Sequence, residues 1–244
     1  MPVIAGNWKM NKSIPETNDF FKQFNKLVSK TKNKIVVFPS FPCIPAARKS
    51  ASKKIFIGAQ NIFFEDSGEF TGEVSLTQLK GFCDFVVLGH SDRRQKFSES
   101  SELINKKVNS ALKHNFSVIL CVGETFSERE SNLTNTVLSE QLSDSLKGIP
   151  FSPNLLIAYE PVWAIGSGQT AKPKDIFQAH SFIKSQLTEL FGEKASQIKI
   201  LYGGSVKPEN IKEIFSVENI DGVLVGGASL NPVSFAKIAN YIKS

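Results

Sequence analysis

The chain has 244 residues, of which 41% are hydrophobic and 21% charged, and it carries a formal net charge of +6 at pH 7. This balance excludes disordered and fibrous classes and supplies apolar material for a sizeable core. The positive excess raises nucleic acid as a partner, but no basic patch interleaved with aromatic residues accompanies it. Lys22, Lys26, Lys30, Lys106 and Lys107 fall at solvent-facing positions of predicted helices, the pattern of a solvated face. A mild positive field of this kind still draws in a small anion. Cys43, Cys83 and Cys121 are far apart with no CxxC spacing, so reduced thiols are expected, with Cys121 in the core. No basic flank and apolar core of a leader opens the chain, and no run approaches the ~18 apolar residues of a membrane span. A cytoplasmic protein without nucleic-acid or membrane partners is expected.

Taken in chain order, the first predicted strand is VIAG at 3–6, followed by Asn7 and Lys9, and Ser13-Ile14-Pro15-Glu16 marks a helix start by its capping-box spacing. KIVVF at 34–38 and IFIGA at 55–59 follow, the latter running into Gln60 and Asn61. FVVLG at 85–89 leads into His90, and Ile104, Val108, Ala111 and Leu112 have helical spacing. SVILCVG at 117–123 precedes Glu124 and a second capping box, Thr125 to Glu128. LLIAY at 155–159 runs into Glu160 and a proline-led stretch, PVWAIGSGQTA at 161–171. Ile176, His180, Ile183, Leu187 and Leu190 then define one helix face. IKIL at 198–201 is followed by Gly203-Gly204-Ser205, and GVLV at 222–225 by Gly226-Gly227; Asn231-Pro232 opens the last helix.

Eight short runs rich in Val, Ile and Leu, alternating with amphipathic segments and unbroken by a linker, predict a single-domain (β/α)8 barrel over 1–244. The rival, an open doubly wound sheet, lacks its GxGxxG after the first strand. In such a barrel chemistry collects where the strands end, and the polar residues fall there. Glu160 after an apolar strand is either a salt-bridged carboxylate or a desolvated one with a raised pKa, suited to be a general base. Lys9 is a solvated lysine or an anchor for developing negative charge, and His90 a structural histidine or an acid or electrophile. The late glycine pairs make tight turns or bind phosphate, and 161–171 is a packed loop or a lid carrying Trp163 and Ile165. Lys9 as a Schiff-base nucleophile of an aldolase is the enzymatic alternative.

GNWKMN at 6–11, GAQN at 58–61, FTGE at 70–73, LGHSDRR at 88–94, CVGE at 121–124, AYEPVWAIGSG at 158–168 and YGGSV at 202–206 stand in order along the chain. Together with Gly226-Gly227 they resemble the triosephosphate isomerase family over essentially the whole length. The resemblance implies interconversion of two triose phosphates through an enediolate, in glycolysis and gluconeogenesis, without metal or organic cofactor. It implies Glu160 as base, His90 as electrophile, Lys9 and Asn7 as groups stabilising the enediolate and substrate, and Gly166, Ser205, Gly226 and Gly227 as phosphate contacts. It also implies a homodimer through segment 60–73, which opens with Gln60 and closes with Glu73. Phe63, Phe64 and Phe70 there are too apolar for a free loop, and Thr71 is expected to reach the neighbouring site. Asp92, Ser167 and Gln169 depart from the usual Glu, Thr and Lys. The shorter carboxylate of Asp92 is read as a cap for the next helix in preference to a support for Lys9.

Overall fold

A run of β-branched residues bounded by turn formers satisfies its backbone by pairing with other strands, and all the apolar runs do so. The computed structural model describes residues 1–165 and 170–242. Its strands are β1 (Val3–Asn7), β2 (Lys34–Phe38), β3 (Ile55–Ala59), β4 (Phe85–Leu88), β5 (Ser117–Val122), β6 (Leu155–Tyr159), β7 (Lys199–Tyr202) and β8 (Gly222–Val225). Each is parallel to its neighbours, and β8 pairs with β1 to close a barrel in sequence order. Five edges differ from the sequence reading by one residue: Gly89, Gly123 and Ile198 fall outside their strands, and Asn7 and Tyr202 are added. Asn7 joins β1 because it stands opposite Phe38 of β2, and Tyr202 joins β7 between Tyr159 and Val223.

Side chains alternate along a strand, so each strand serves two cores. Val3, Ala5, Val36, Phe38, Phe85, Val87, Ile119, Cys121, Leu156, Ala158, Leu201 and Leu224 pack together as the barrel interior. Their alternates, such as Ile4, Ile35, Val37, Ile57, Leu120 and Ile157, pack with helix residues in the surrounding layer. Cys121 is thus a core residue, and all three thiols are free and buried. Burial pushes Cys83 up to about 12 and Cys121 well above the ordinary thiol range.

The helix starts follow the predicted chemistry. The Ser13 backbone N–H donates to Glu16 Oε2 at 2.7 Å, and the Thr125 N–H donates to Glu128 Oε2 at 2.7 Å while the Glu128 N–H returns to Thr125 Oγ1 at 3.3 Å. Asn231 Oδ1 accepts from the N–H groups of Val233 and Ser234 at 2.9 and 3.0 Å. Ile104, Val108 and Ala111 are buried from helix Ser101–Lys113, and Ile176, His180, Ile183 and Leu187 from helix Pro173–Phe191. Leu190 is not part of that face: it is 41% exposed, because in the final turn Phe191 takes the inward place, packing edge-on against Phe151.

Lys107 overturns the reading of a solvated lysine face. It is 2% exposed, paired with the buried carboxylate of Glu99, and donates to Asn61 Oδ1 at 2.9 Å. Arg93 Nε reaches the same Glu99 at 3.2 Å. Burial lowers the pKa of Lys107, and Glu99 opposes that loss of charge. A buried lysine is tolerated when its partners satisfy it, and none of these partners is visible from helical spacing. Glu99→Ala, which leaves Lys107 buried without its counter-charge, should cost about 3–5 kcal/mol in denaturant unfolding. The double change Glu99→Leu, Lys107→Met should recover much of that loss; a double variant as unstable as Glu99→Ala would show that the pair is not coupled.

Candidate active site

The strand ends bring the polar groups to one face. Asn7 is the last residue of β1, His90 lies just beyond β4, Glu160 directly follows β6, and the glycine pairs follow β7 and β8. Asn7, Lys9, His90, Glu160, Ser205, Gly226 and Gly227 all line one cleft of about 510 Å³, with Ile165 and Lys207. Gly166, Ser167 and Gln169 lie outside the described residues. Glu124, Gln60 and Asn61 follow strands but do not line the cleft; of the three, Gln60 bonds directly to a lining residue, Lys9.

Lys9 adopts the left-handed backbone region, φ 52, a geometry costing an L residue roughly 1–2 kcal/mol. Local bonds hold it there: its N–H donates to Asn7 Oδ1 at 3.0 Å, and its carbonyl accepts from Gln60 Nε2 at 2.8 Å. The ammonium pairs with Asp92 Oδ2 at 3.0 Å.

That contact corrects the reading of Asp92 as a helix cap. The cap of helix Ser91–Lys96 is His90, whose Nδ1 accepts the Asp92 N–H at 3.0 Å. Asp92 sits inside the first turn, and the backbone there brings even the shorter side chain within direct reach of Lys9. Its other oxygen, Oδ1, accepts from Lys96 at 2.9 Å, an i,i+4 partner on the same helix. Burial raises the Asp92 carboxyl, but Lys96 and Lys9 outweigh it and bring it down to about 2.

The same N–H fixes the histidine. With Nδ1 accepting that N–H, Nε2 is the ring nitrogen left to donate. Nε2–H points at Glu160 Oε1, 3.1 Å away. Glu160 is 2% exposed, and its Oε2 accepts the Ser91 N–H at 3.0 Å. Here the sequence expectation of a raised pKa fails. Burial does push Glu160 up, but the His90 ring and the Ser91 N–H outweigh it and leave the carboxyl below its ordinary range. Gly203 makes room for this side chain, since a Cβ there would stand 2.9 Å from Glu160 Cγ.

Behind Glu160, Glu124 is fully buried and accepts from Tyr159 OH at 3.1 Å and Trp163 Nε1 at 2.8 Å. Burial raises its pKa. The Arg129 guanidinium lies 4.2 Å over the Trp163 ring and pairs with Asp175 at 2.9 Å. The start of the 161–171 segment is therefore tied to β5 and to helix Pro173–Phe191. Among the described residues no group of three or more His, Cys, Asp or Glu is arranged to hold a metal ion, and no helix is long and apolar enough to cross a membrane.

Comparison with known proteins places this geometry. The family model described as Triosephosphate isomerase matches residues 2–242. The chain is 47% identical over 244 residues to the triosephosphate isomerase of Moorella thermoacetica, covering 98% of each. It is 45% identical over 241 residues to that of Thermodesulfovibrio yellowstonii, again covering 98% of each. The crystal structure of triosephosphate isomerase from Bartonella henselae superposes with a TM-score of 0.89 at 36% identity, covering 97% of each chain. With its closed parallel barrel and its line of strand-end residues, the chain belongs to the triosephosphate isomerase family.

Proposed function

We propose that Glu160 is the base that moves the proton, with His90 and Lys9 stabilising the oxyanion, Asn7 orienting the substrate, and Ser205, Gly226 and Gly227 receiving its phosphate. The reaction is the interconversion of dihydroxyacetone phosphate and D-glyceraldehyde 3-phosphate through an enediolate, an intramolecular aldose–ketose isomerisation of glycolysis and gluconeogenesis. In triosephosphate isomerases a glutamate base and a neutral histidine electrophile are an established instance of pKa tuning. The observation that carries the assignment is the Glu160–His90 pair, a buried carboxylate 3.1 Å from a ring N–H at the mouth of the barrel. A substrate oxygen that takes the Nε2–H from Glu160 removes one of the donors holding its pKa down. The carboxylate then becomes a stronger base, still out of water, as the proton on carbon comes within reach. Lys9 supplies fixed positive charge where the oxyanion forms.

A second copy of the chain completes the proposal, with the cytoplasm as its compartment. Phe63 packs on Phe64 and Phe70 with ring centres 4.4 and 4.5 Å apart, yet Phe70 remains 44% exposed. Met10 at 95% and Phe97 at 65% flank Lys9 and the helix of Asp92. Apolar side chains this exposed beside a catalytic cleft are what a partner copy would cover.

Glu160→Gln should fold normally while turnover falls by at least about 10²-fold to 10⁴-fold, and near-native turnover would remove it as the base. Asp92→Asn should lower turnover and Asp92→Glu preserve or raise it, whereas equal turnover in both would deny Asp92 a role in supporting Lys9. The folded pKa of Asp92 is depressed to about 2, so its ion pairs stabilise the fold above the ordinary carboxylate range. The stability gap between wild type and Asp92→Asn should accordingly shrink as pH falls from about 4 towards 2. Sedimentation should show a dimer whose specific activity drops on dilution; a fully active monomer would end the dimer reading.

A further inference from the structure

Lys9 presents its ammonium from a backbone geometry that only glycine adopts freely, and glycine would remove the ammonium. Something must hold the peptide, and hydrogen bonds frame it on every side. Trp8 N–H donates to Phe38 O at 3.1 Å, Lys9 N–H to Asn7 Oδ1 at 3.0 Å, and Asn11 Nδ2 to Trp8 O at 2.6 Å. These partners lie in the same loop or at the ends of β1 and β2. The bond to the Lys9 carbonyl comes from farther away, from Gln60 beyond β3, at 2.8 Å. The second hydrogen of the same amide goes to Phe38 O at 2.9 Å. Two carbonyls face one end of this side chain, so the amide orientation is fixed, because the flipped form would set oxygen against oxygen.

From this geometry we infer that Gln60 is a positioning residue for Lys9, coupling segment 60–73 to turnover; the inference rests on the reading of Lys9 as an active-site cation. Gln60 grips the carbonyl side of Lys9, and Asp92 grips the ammonium at 3.0 Å. The two grips are joined behind the cleft. Asn61, next to Gln60, accepts from Lys107 at 2.9 Å; Lys107 pairs with Glu99, and Glu99 with Arg93, the neighbour of Asp92. A shift in the segment that begins at Gln60 is therefore felt at both ends of one lysine, and a positioning error of that kind is costly in rate.

The test is a double-mutant cycle of Gln60→Met, which keeps length and removes both donors, with Lys9→Met, reading kcat, KM and sedimentation for each protein. Acting through Lys9, Gln60→Met should lower kcat/KM roughly 10-fold to 10²-fold in the wild-type background and add little in the Lys9→Met background. The same factor in both backgrounds, no loss at all, or a loss that disappears at high protein concentration as subunits reassociate would each overturn the inference. If Gln60→Met does not fold, Gln60→Asn, whose amide falls short of the Lys9 carbonyl, enters the same cycle with the same expected non-additivity. Wild-type turnover in Lys9→Met alone would instead remove the reading of Lys9, an outcome distinct from additive losses.

Discussion

Closure of the barrel between β8 and β1 is the constraint on which the remaining structure depends. At that seam Gly222 lies against Val3 so closely that a Cβ would stand 2.1 Å from the Val3 carbonyl oxygen and 2.8 Å from its nitrogen. The ring of parallel strands closes because no side chain intrudes there. Closure converts eight separate strand ends into one rim, and it brings Asn7 near the chain's beginning to the same cleft as Gly226 and Gly227 near its end. Trp8 reinforces the seam from the wall, its indole N–H donating to Ser229 O at 3.1 Å.

On that rim, charge is placed by pairing across different loops. Glu160 from the end of β6 is met by His90 and Ser91 from beyond β4, and Lys9 from beyond β1 by Asp92 on the same helix. Each of these bonds spans strands that are not sequence neighbours, so the rim is stiff although it is built from loops. Desolvated charges repay their burial only with good geometry, and a rigid scaffold is what supplies it. Glu124 applies the same logic one layer deeper, where a carboxylate satisfied by Tyr159 and Trp163 anchors the segment after Glu160.

The fold was legible because buried parallel strands leave nearly continuous apolar runs, and helix starts such as Thr125–Glu128 use neighbours three residues apart. The strand-end residues were legible for the same reason, since knowing where a strand stops locates its next side chain. What escaped the sequence depended on distant partners or on a choice between near-equal alternatives. Lys107 has the spacing of a surface lysine, and its burial depends on the Glu99 carboxylate and on Asn61, 46 residues away. For Glu160 the sequence leaves a salt-bridged and a desolvated carboxylate side by side, because its donors His90 and Ser91 lie some 70 residues earlier and leave no local mark. Asp92 was mistaken for a cap because capping by a histidine ring at the preceding strand end leaves no familiar pattern. Gln60 stood out only as a polar residue after a strand, and its work on a carbonyl 51 residues away has no local signature.

The burial of the thiols has a consequence for how this protein ages. Cys43, Cys83 and Cys121 are held apart from one another and from water, and in Cys83 and Cys121 burial also disfavours the thiolate, the form that oxidants and alkylating agents attack. Cys121 lies inside the barrel, where nothing reaches it unless strands separate. Chemical damage to that sulfur is thereby tied to opening of the fold, and a thiolate oxidised during such an opening would be too large and too polar to return to its place. Oxidation during a lapse in closure would therefore hinder the return of that strand to its place.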